Sequence, residues 1–334
     1  MLAAGVCHSD WHLVTGATPH PLPAVLGHEG CGEVVSVGEG VDDLAPGDRV
    51  ILNWAPACGT CFYCERGKPN LCETYHDRIW AGTLLDGTSR FHQAGNPLYQ
   101  YCGLACFSTH TVVPRVSAVK VPQVLDANVG ALIGCAVTTG VGSVLNTAQV
   151  QKGRSVAVFG VGGVGLSTVM GAKLAGAEPI IAIDLHPTRL EAALQLGATH
   201  MVISSENTDQ DIKDLTGGRG VDYAFEAAGI PSLQAISLRS LAKGGKLILS
   251  GIAPKTATLP ISPAELTRSE QTVAGSYYGS SAPQVDFNGL ATAFLDGRLP
   301  IDRLISRTYR LDEINEAYAD MLGGTIQRGV VVFA

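Results

Sequence analysis

No stretch of the sequence runs for the roughly eighteen unbroken apolar residues of a membrane span, because glycines, threonines and charges interrupt each candidate. No membrane partner is therefore expected. Lysines and arginines are nowhere clustered, and the formal charge of −7 over 334 residues argues against a nucleic-acid partner. The opening LAAGVCHSD lacks the basic start and cleavage site of a secretory leader. Internal repeats and low-complexity tracts are missing too. What remains is 46% hydrophobic, only 16% charged, and carries 40 glycines, the composition of a globular α/β protein with many tight turns. The length predicts two domains rather than one. Nine cysteines without a leader point to metal ligands more than disulfides, and to a reducing, cytoplasmic setting.

The most informative stretch is 155–184, SVAVFGVGGVGLSTVMGAKLAGAEPIIAID. Residues 155–159 read as a buried strand, 164–175 carry helical spacing, and 180–183 form a second apolar run closed by Asp184. Between strand and helix lies GVGGVG, a G-x-G-x-x-G turn with Gly160, Gly162 and Gly165 at its fixed places and Gly163 within it. Such glycines permit a tight turn, close approach of backbone to a pyrophosphate, and close helix–strand packing. The helix start offers free N–H groups and a positive dipole end. Asp184 is placed to accept from the ribose hydroxyls of NAD and to repel the 2′-phosphate of NADP. The other reading is a glycine-rich corner that binds nothing.

Residues 1–150 differ in character. Short β-type runs at 32–37, 49–52 and 111–113 lie among Gly, Pro, Cys and His, which predicts a β-rich, loop-heavy domain. Cys58, Cys61, Cys64 and Cys72 stand in a C-x2-C-x2-C-x7-C pattern, the spacing of a closed tetrahedral shell around a structural Zn²⁺. Four unconnected thiols, or two disulfides, are the competing readings. Three scattered residues, Cys7 in GVCHSDWH, His28 in GHEG and Cys135 in IGCAVTTG, each end an apolar run beside glycine. Two thiolates and one imidazole make the ligand set of a catalytic zinc with one open position. Asp10 and Glu29 adjoin two of them, placed to orient the imidazole or approach the metal. As isolated residues they would read as solvated loop carboxylates.

Taken together, GVCHSD, GHEG, the four-cysteine loop, IGCAVTTGVGS and GVGGVG with Asp184 occur in the order of, and the chain resembles, the zinc-dependent medium-chain alcohol dehydrogenases. DGTSRF and its flanking loop resemble the longer-looped, liver-type branch. The resemblance implies an α/β protein: a doubly wound Rossmann sheet plus a β-rich GroES-like catalytic domain. The implied domains are catalytic at 1–136, NAD-binding at 137–278, and a return to the catalytic domain at 279–334. It implies two zinc ions, the catalytic one on Cys7, His28 and Cys135 and the structural one on the four-cysteine loop. Ser9 and His12 fall on the family's proton relay, His8 and Arg328 on pyrophosphate contacts, Arg189 on an adenosine-ribose contact and Thr139 beside the nicotinamide. Trp54 and Tyr101 fall on the alcohol pocket. Without the resemblance, Arg328 would read as a surface arginine. Family members carry further strands ahead of GVCH, so the catalytic domain is expected to be N-terminally incomplete, with exposed sheet edges.

The implied activity is reversible oxidation of primary, aromatic or secondary alcohols with hydride transfer to NAD. A site zinc lowers the pKa of bound water from 15.7 to about 7, and an alcohol should respond similarly. The family also implies a homodimer or homotetramer. Two alternatives stand. One is a glutathione-dependent formaldehyde dehydrogenase, though that branch has acids at the positions of Thr18 and His20. The other is a zinc- and NAD-binding fragment without catalysis. Cys31, Cys102 and Cys106 read as packed thiols. Apolar stripes at 187–196, 287–295 and 314–321 read as core-facing helices.

Overall fold

Short apolar runs punctuated by glycine dominate the second half of the chain, and unbroken runs suit strands buried on both faces of a parallel sheet. In the computed structural model, which describes residues 1–333, six strands form that sheet. Their order is His200–Ile203, Ile180–Asp184, Val156–Phe159, Val221–Glu226, Leu241–Leu249 and Thr272–Gly275, parallel throughout. The chain winds outward from Val156–Phe159, returns, and winds the other way from Val221–Glu226. The order therefore reverses between these two strands, the Rossmann arrangement with its ligand crevice at the strands' carboxyl ends. Ala157, Phe159, Ile181, Ile183, Ala224 and Leu247 are wholly buried at its centre. Helix Pro187–Leu196 shows how local chemistry sets the elements: proline opens it and Gly197 stops it at positive φ.

Two compact units divide the chain: Met1–Thr138 with everything from Ser281 onward, and Thr139–Ser280. The first holds a six-stranded sheet in the order Ile305–Tyr309, Arg328–Val332, Ala3–Gly5, Gly30–Glu33, Arg49–Leu52 and Ala118–Lys120. Only its first pair is parallel. Ala3–Gly5 is buried along its length because both neighbours hydrogen-bond to it. Helix Ile314–Leu322 lays Ala317, Tyr318 and Met321 against Val6, Tyr309 and Val331, as its apolar spacing requires.

Two expected strands differ. Strand pairing over 32–37 stops at Glu33, with two further bonds at Val34, whose N donates to Asp48 O and whose O accepts from Gly47 N, and 111–113 joins no sheet among the described residues. Neither segment has a longer apolar alternation to hold it in register. Ala127–Ala148 is one helical run long and apolar enough to cross a membrane by length and composition, though its apolar residues are not unbroken, and 83% of its 18-residue apolar window is buried inside the fold. The polar Thr138, Thr139 and Ser143 that break its apolar run are buried with it.

Candidate metal and dinucleotide sites

Register brings the scattered candidates of the first unit together. Gly5 pairs with Val330, Ala4 with Gly30, and Cys31 with Ile51. Two residues beyond those pairs, the chain presents Cys7, His28–Glu29, Arg328 and Asn53–Trp54 at the same end of the sheet. Cys135 comes from the helical run, within a wider π-type turn, Ile133–Val137, where the Thr138 hydroxyl donates to Ile133 O at 2.6 Å. Such one-turn widenings re-aim side chains and recur at functional sites.

Ligand atoms of Cys7, His28, Glu29 and Cys135 all lie within 4.8 Å of one another. Asp10 and Glu29 are wholly buried rather than solvated. Asp10 Oδ1 accepts from Gly27 N at 2.8 Å, and Oδ2 stands 3.0 Å from His28 Nδ1. That leaves His28 Nε2 aimed among the sulfurs, buried and without a partner, as is Glu29 Oε1. Buried polar atoms are rarely left so; soft donors around an orphaned imidazole nitrogen fit a zinc ion. The electrostatics agree. A hydrogen bond from Cys135, with His28 nearby, holds the Cys7 thiol well below its ordinary value despite burial. Donating that bond, together with burial, pushes Cys135 well above its own. Burial disfavours the charged His28 ring, but Asp10 and the two cysteines outweigh it and raise its pKa well above the usual value. The protons on the Cys135 thiol and the His28 ring are what a metal would displace on binding there.

Glu29 ion-pairs with Arg328, and both are buried. Arg328 is therefore no surface arginine. Burial raises Glu29 to about 7 even against that guanidinium. Ser9 and His12 share helix His8–Val14, with Ser9 Oγ 3.8 Å from Cys7 Sγ and His8 exposed. Trp54 and Tyr101 are buried. The Tyr101 ring stands edge-on to His28 at 5.6 Å, and its hydroxyl donates to Ser9 O at 3.2 Å. Sequence spacing marks Tyr318 only as core. Its hydroxyl is in fact buried and unpartnered beside Trp11, which periodicity has no means of signalling.

The four-cysteine loop forms a second group. Ligand atoms of Cys58, Cys61, Cys64 and Cys72 lie within 4.8 Å of each other. Cys61 and Cys72 sulfurs are 3.9 Å apart, close to the roughly 3.8 Å that tetrahedral bonds of about 2.3 Å require. Among the described residues all nine cysteines are free of disulfides. A hydrogen bond from Thr74 lowers Cys58 to about 5, so that sulfur is a ready thiolate. Cys31, Cys102 and Cys106 are packed thiols.

In the second unit the glycine turn behaves as its pattern implies. Gly160 has φ of +81°, and a Cβ there would lie 2.8 Å from that of Ala228; one at Gly165 would collide with Gly160 O. Asp184 Oδ2 accepts from Val161 N at 3.0 Å and Oδ1 from His186 N at 3.0 Å, leaving each oxygen a further lone pair. Arg189 Nη1 stands 3.9 Å from Asp184 Oδ1. Thr139 is buried near the start of this unit.

A Rossmann sheet with such a turn, in a chain that also gathers two zinc-type donor sets, defines a metal-binding dehydrogenase. Comparison with known families agrees. Residues 1–123 match the alcohol dehydrogenase GroES-like domain and residues 163–296 match the zinc-binding dehydrogenase profile. The NDMA-dependent alcohol dehydrogenase of Amycolatopsis methanolica is 37% identical over 333 residues, covering 99% of this chain and 90% of the relative. The S-(hydroxymethyl)glutathione dehydrogenase of Photobacterium damsela subsp. piscicida is 39% identical over 332 residues, covering 98% and 89%. The crystal structure of benzyl alcohol dehydrogenase from Acinetobacter calcoaceticus superimposes with a TM-score of 0.92 at 32% identity, covering 100% and 90%. The chain belongs to the zinc-binding medium-chain alcohol dehydrogenase family, with its GroES-like and Rossmann domains.

Proposed function

We propose that the protein oxidises primary and aromatic alcohols reversibly, with two zinc ions per chain and NAD as hydride acceptor. The observation that carries this is the convergence of Cys7, His28 and Cys135 around an orphaned, buried His28 Nε2. When bound, the zinc would supply a Lewis acid that lets an alcohol ionise near neutral pH, and the dinucleotide would accept the hydride. The chain's own residues do the rest. Asp10 fixes the His28 ring through Nδ1, so that Nε2 faces the sulfurs. Ser9 Oγ is placed to receive the hydroxyl proton, and His12 lies three positions on, the spacing of one helix face. Trp54 and Tyr101 exclude water and offer aromatic surface to the substrate. Cys58, Cys61, Cys64 and Cys72 would hold the second, structural ion. Gly160 to Gly165 would cradle the pyrophosphate, with Asp184 and Arg189 at the adenosine ribose. The charge of Asp184 supports NAD over NADP. Nine free cysteines support a reducing, cytoplasmic setting.

The relatives that act on S-(hydroxymethyl)glutathione favour a second reading, oxidation of that adduct. Against it, His20 packs edge-on against Tyr99 and Tyr101, and burial lowers its pKa, so a neutral aromatic wall stands where a zwitterionic peptide would need charges. The test is NAD reduction with ethanol, hexanol and benzyl alcohol, beside formaldehyde with glutathione, and zinc per chain by elemental analysis. Turnover of plain alcohols with two zincs is expected. Activity only with formaldehyde plus glutathione would install the second reading. Neither turnover nor zinc would leave a dinucleotide-binding protein alone.

A further inference from the structure

Glu226 ends strand Val221–Glu226, beside the point where the Rossmann order reverses, and it is wholly buried. Among the described residues no cation pairs with it. The carboxylate is bracketed by N–H donors instead. Oε1 accepts from Ala228 N at 2.9 Å, Gly229 N at 2.8 Å and Ile230 N at 3.3 Å, and Oε2 from Gln234 Nε2 at 3.1 Å. A buried charge without a counter-ion is costly, and only a complete set of donors makes it tolerable. One side chain thus winds 227–230 into a fixed turn and ties it to helix Pro231–Arg239.

That turn is wedged against the glycine corner. Ala227 N donates to Phe159 O at 2.9 Å, and a Cβ on Gly160 would lie 2.8 Å from the Ala228 Cβ. On its other flank, Ser250 and Gly251 N–H groups both donate to Glu226 O at 2.9 Å, and a Cβ on Gly229 would lie 2.5 Å from Ile252 O. The 227–230 turn has no slack on either side. We propose that Glu226 is a positioning residue for the dinucleotide: by holding 227–230 rigid, it fixes the wall against which the Gly160 turn presents its N–H groups to a pyrophosphate. The assignment rests on the reading of Gly160 to Gly165 as a dinucleotide site. It adds to that reading a residue that touches neither phosphate nor nicotinamide.

The experiment is fluorescence titration of the zinc-loaded protein with NADH and with NADPH, for wild type, Glu226→Gln, and the exchange Glu226→Gln with Gln234→Glu. In the single variant the neutral amide oxygen accepts the three backbone bonds more weakly than a carboxylate, and the Gln234 amide must turn over for its oxygen to meet the new NH2. In the exchange, that NH2 donates to a carboxylate at position 234 and the charge is returned to the bracket. The single variant should raise the NADH dissociation constant about tenfold at unchanged stoichiometry, and the exchange should return it to within about threefold of wild type. A merely destabilised protein would instead lose stoichiometry and keep its dissociation constant. Unchanged affinity in the single variant, or no recovery in the exchange, overturns the assignment. Should the single variant fail to fold, the exchange alone decides, because it must bind NADH as wild type does. A wild type that binds neither coenzyme would remove the dinucleotide reading, and the assignment with it.

Discussion

Asp10 shows how much one buried carboxylate governs when both of its oxygens are committed. Oδ1 holds the Gly27 amide and Oδ2 stands against His28 Nδ1, so a single residue sets both the loop and the ring. Asp10→Asn preserves shape, but its amide nitrogen faces either a backbone donor or the imidazole. Zinc affinity, measured by competition with a chromophoric chelator, should fall about 10- to 100-fold. Affinity within a factor of two of wild type would mean that the ring is oriented by something else. Asp184 is the corresponding residue of the other unit. Its carboxylate already binds Val161 and His186 N–H groups, so it arrives oriented, with one lone pair per oxygen to spare. On the proposed coenzyme reading, Asp184→Gly would remove both the ribose acceptor and the charge that opposes a 2′-phosphate. NAD should bind at least about tenfold more weakly, and the preference over NADP should shrink by a similar factor. A variant that keeps both values would show that the coenzyme's ribose lies elsewhere.

Among the elements, the central pair of the parallel sheet is pinned at its amino end by Asp222. Oδ2 accepts from Ser155 N at 2.9 Å and Ser155 Oγ at 2.7 Å, and Oδ1 from Arg154 Nη1 at 3.2 Å. Burial alone would raise its pKa, but the Ser155 and Arg154 bonds prevail and hold it below the ordinary carboxylate value. A folded-state pKa lowered in this way adds stability that is fully present above the unfolded value near 3.9, and that is lost as pH falls through the folded one. Asp222→Asn should therefore cost about 1 kcal/mol at pH 7, discounted for partial exposure. Urea denaturation should show the gap from wild type closing below about pH 4. A gap that stays constant down to pH 3 would contradict the assignment. This half of the chain was also the more legible in sequence. Strands buried on both faces leave unbroken apolar runs such as Val156–Phe159, and Pro187–Leu196 carries its own start and stop. The β-rich half was not legible in that way. Ala3–Gly5 and Arg328–Val332 are too short to show a period, and they find each other across almost the whole chain. The cysteine spacing and glycine turn were visible because they are local. The Glu29–Arg328 pair was not, because 299 positions separate its partners, and the Glu226 bracket, though local, was not because no motif marks a lone glutamate ahead of Ala227 to Ile230 as a turn-former.

At the scale of the whole molecule, the two donor sets both lie in the first unit, whereas the glycine turn, Asp184, Arg189 and Glu226 lie in Thr139–Ser280. Metal and coenzyme should therefore be separable in experiment. The four-cysteine loop has few apolar anchors: Cys58, Cys61 and Cys64 are only half-buried, and Phe62 and Tyr63 between them are exposed. If the loop holds the proposed structural ion, its order would come largely from that ion, since metal affinity at a structural site is folding free energy. Stripping zinc with a strong chelator should then lower the melting temperature of the first transition by roughly 10 °C, taking about 3 kcal/mol at some 2–4 °C per kcal/mol for a unit of this size. NADH should continue to bind the stripped protein within about threefold of its original affinity, while alcohol turnover disappears. Adding zinc back should restore both the melting temperature and turnover. If chelation instead abolished NADH binding at a temperature where the protein is still folded, the coenzyme's grip would depend on the metal-bearing unit. The division of labour drawn from Gly160, Asp184 and Glu226 would then have to be abandoned.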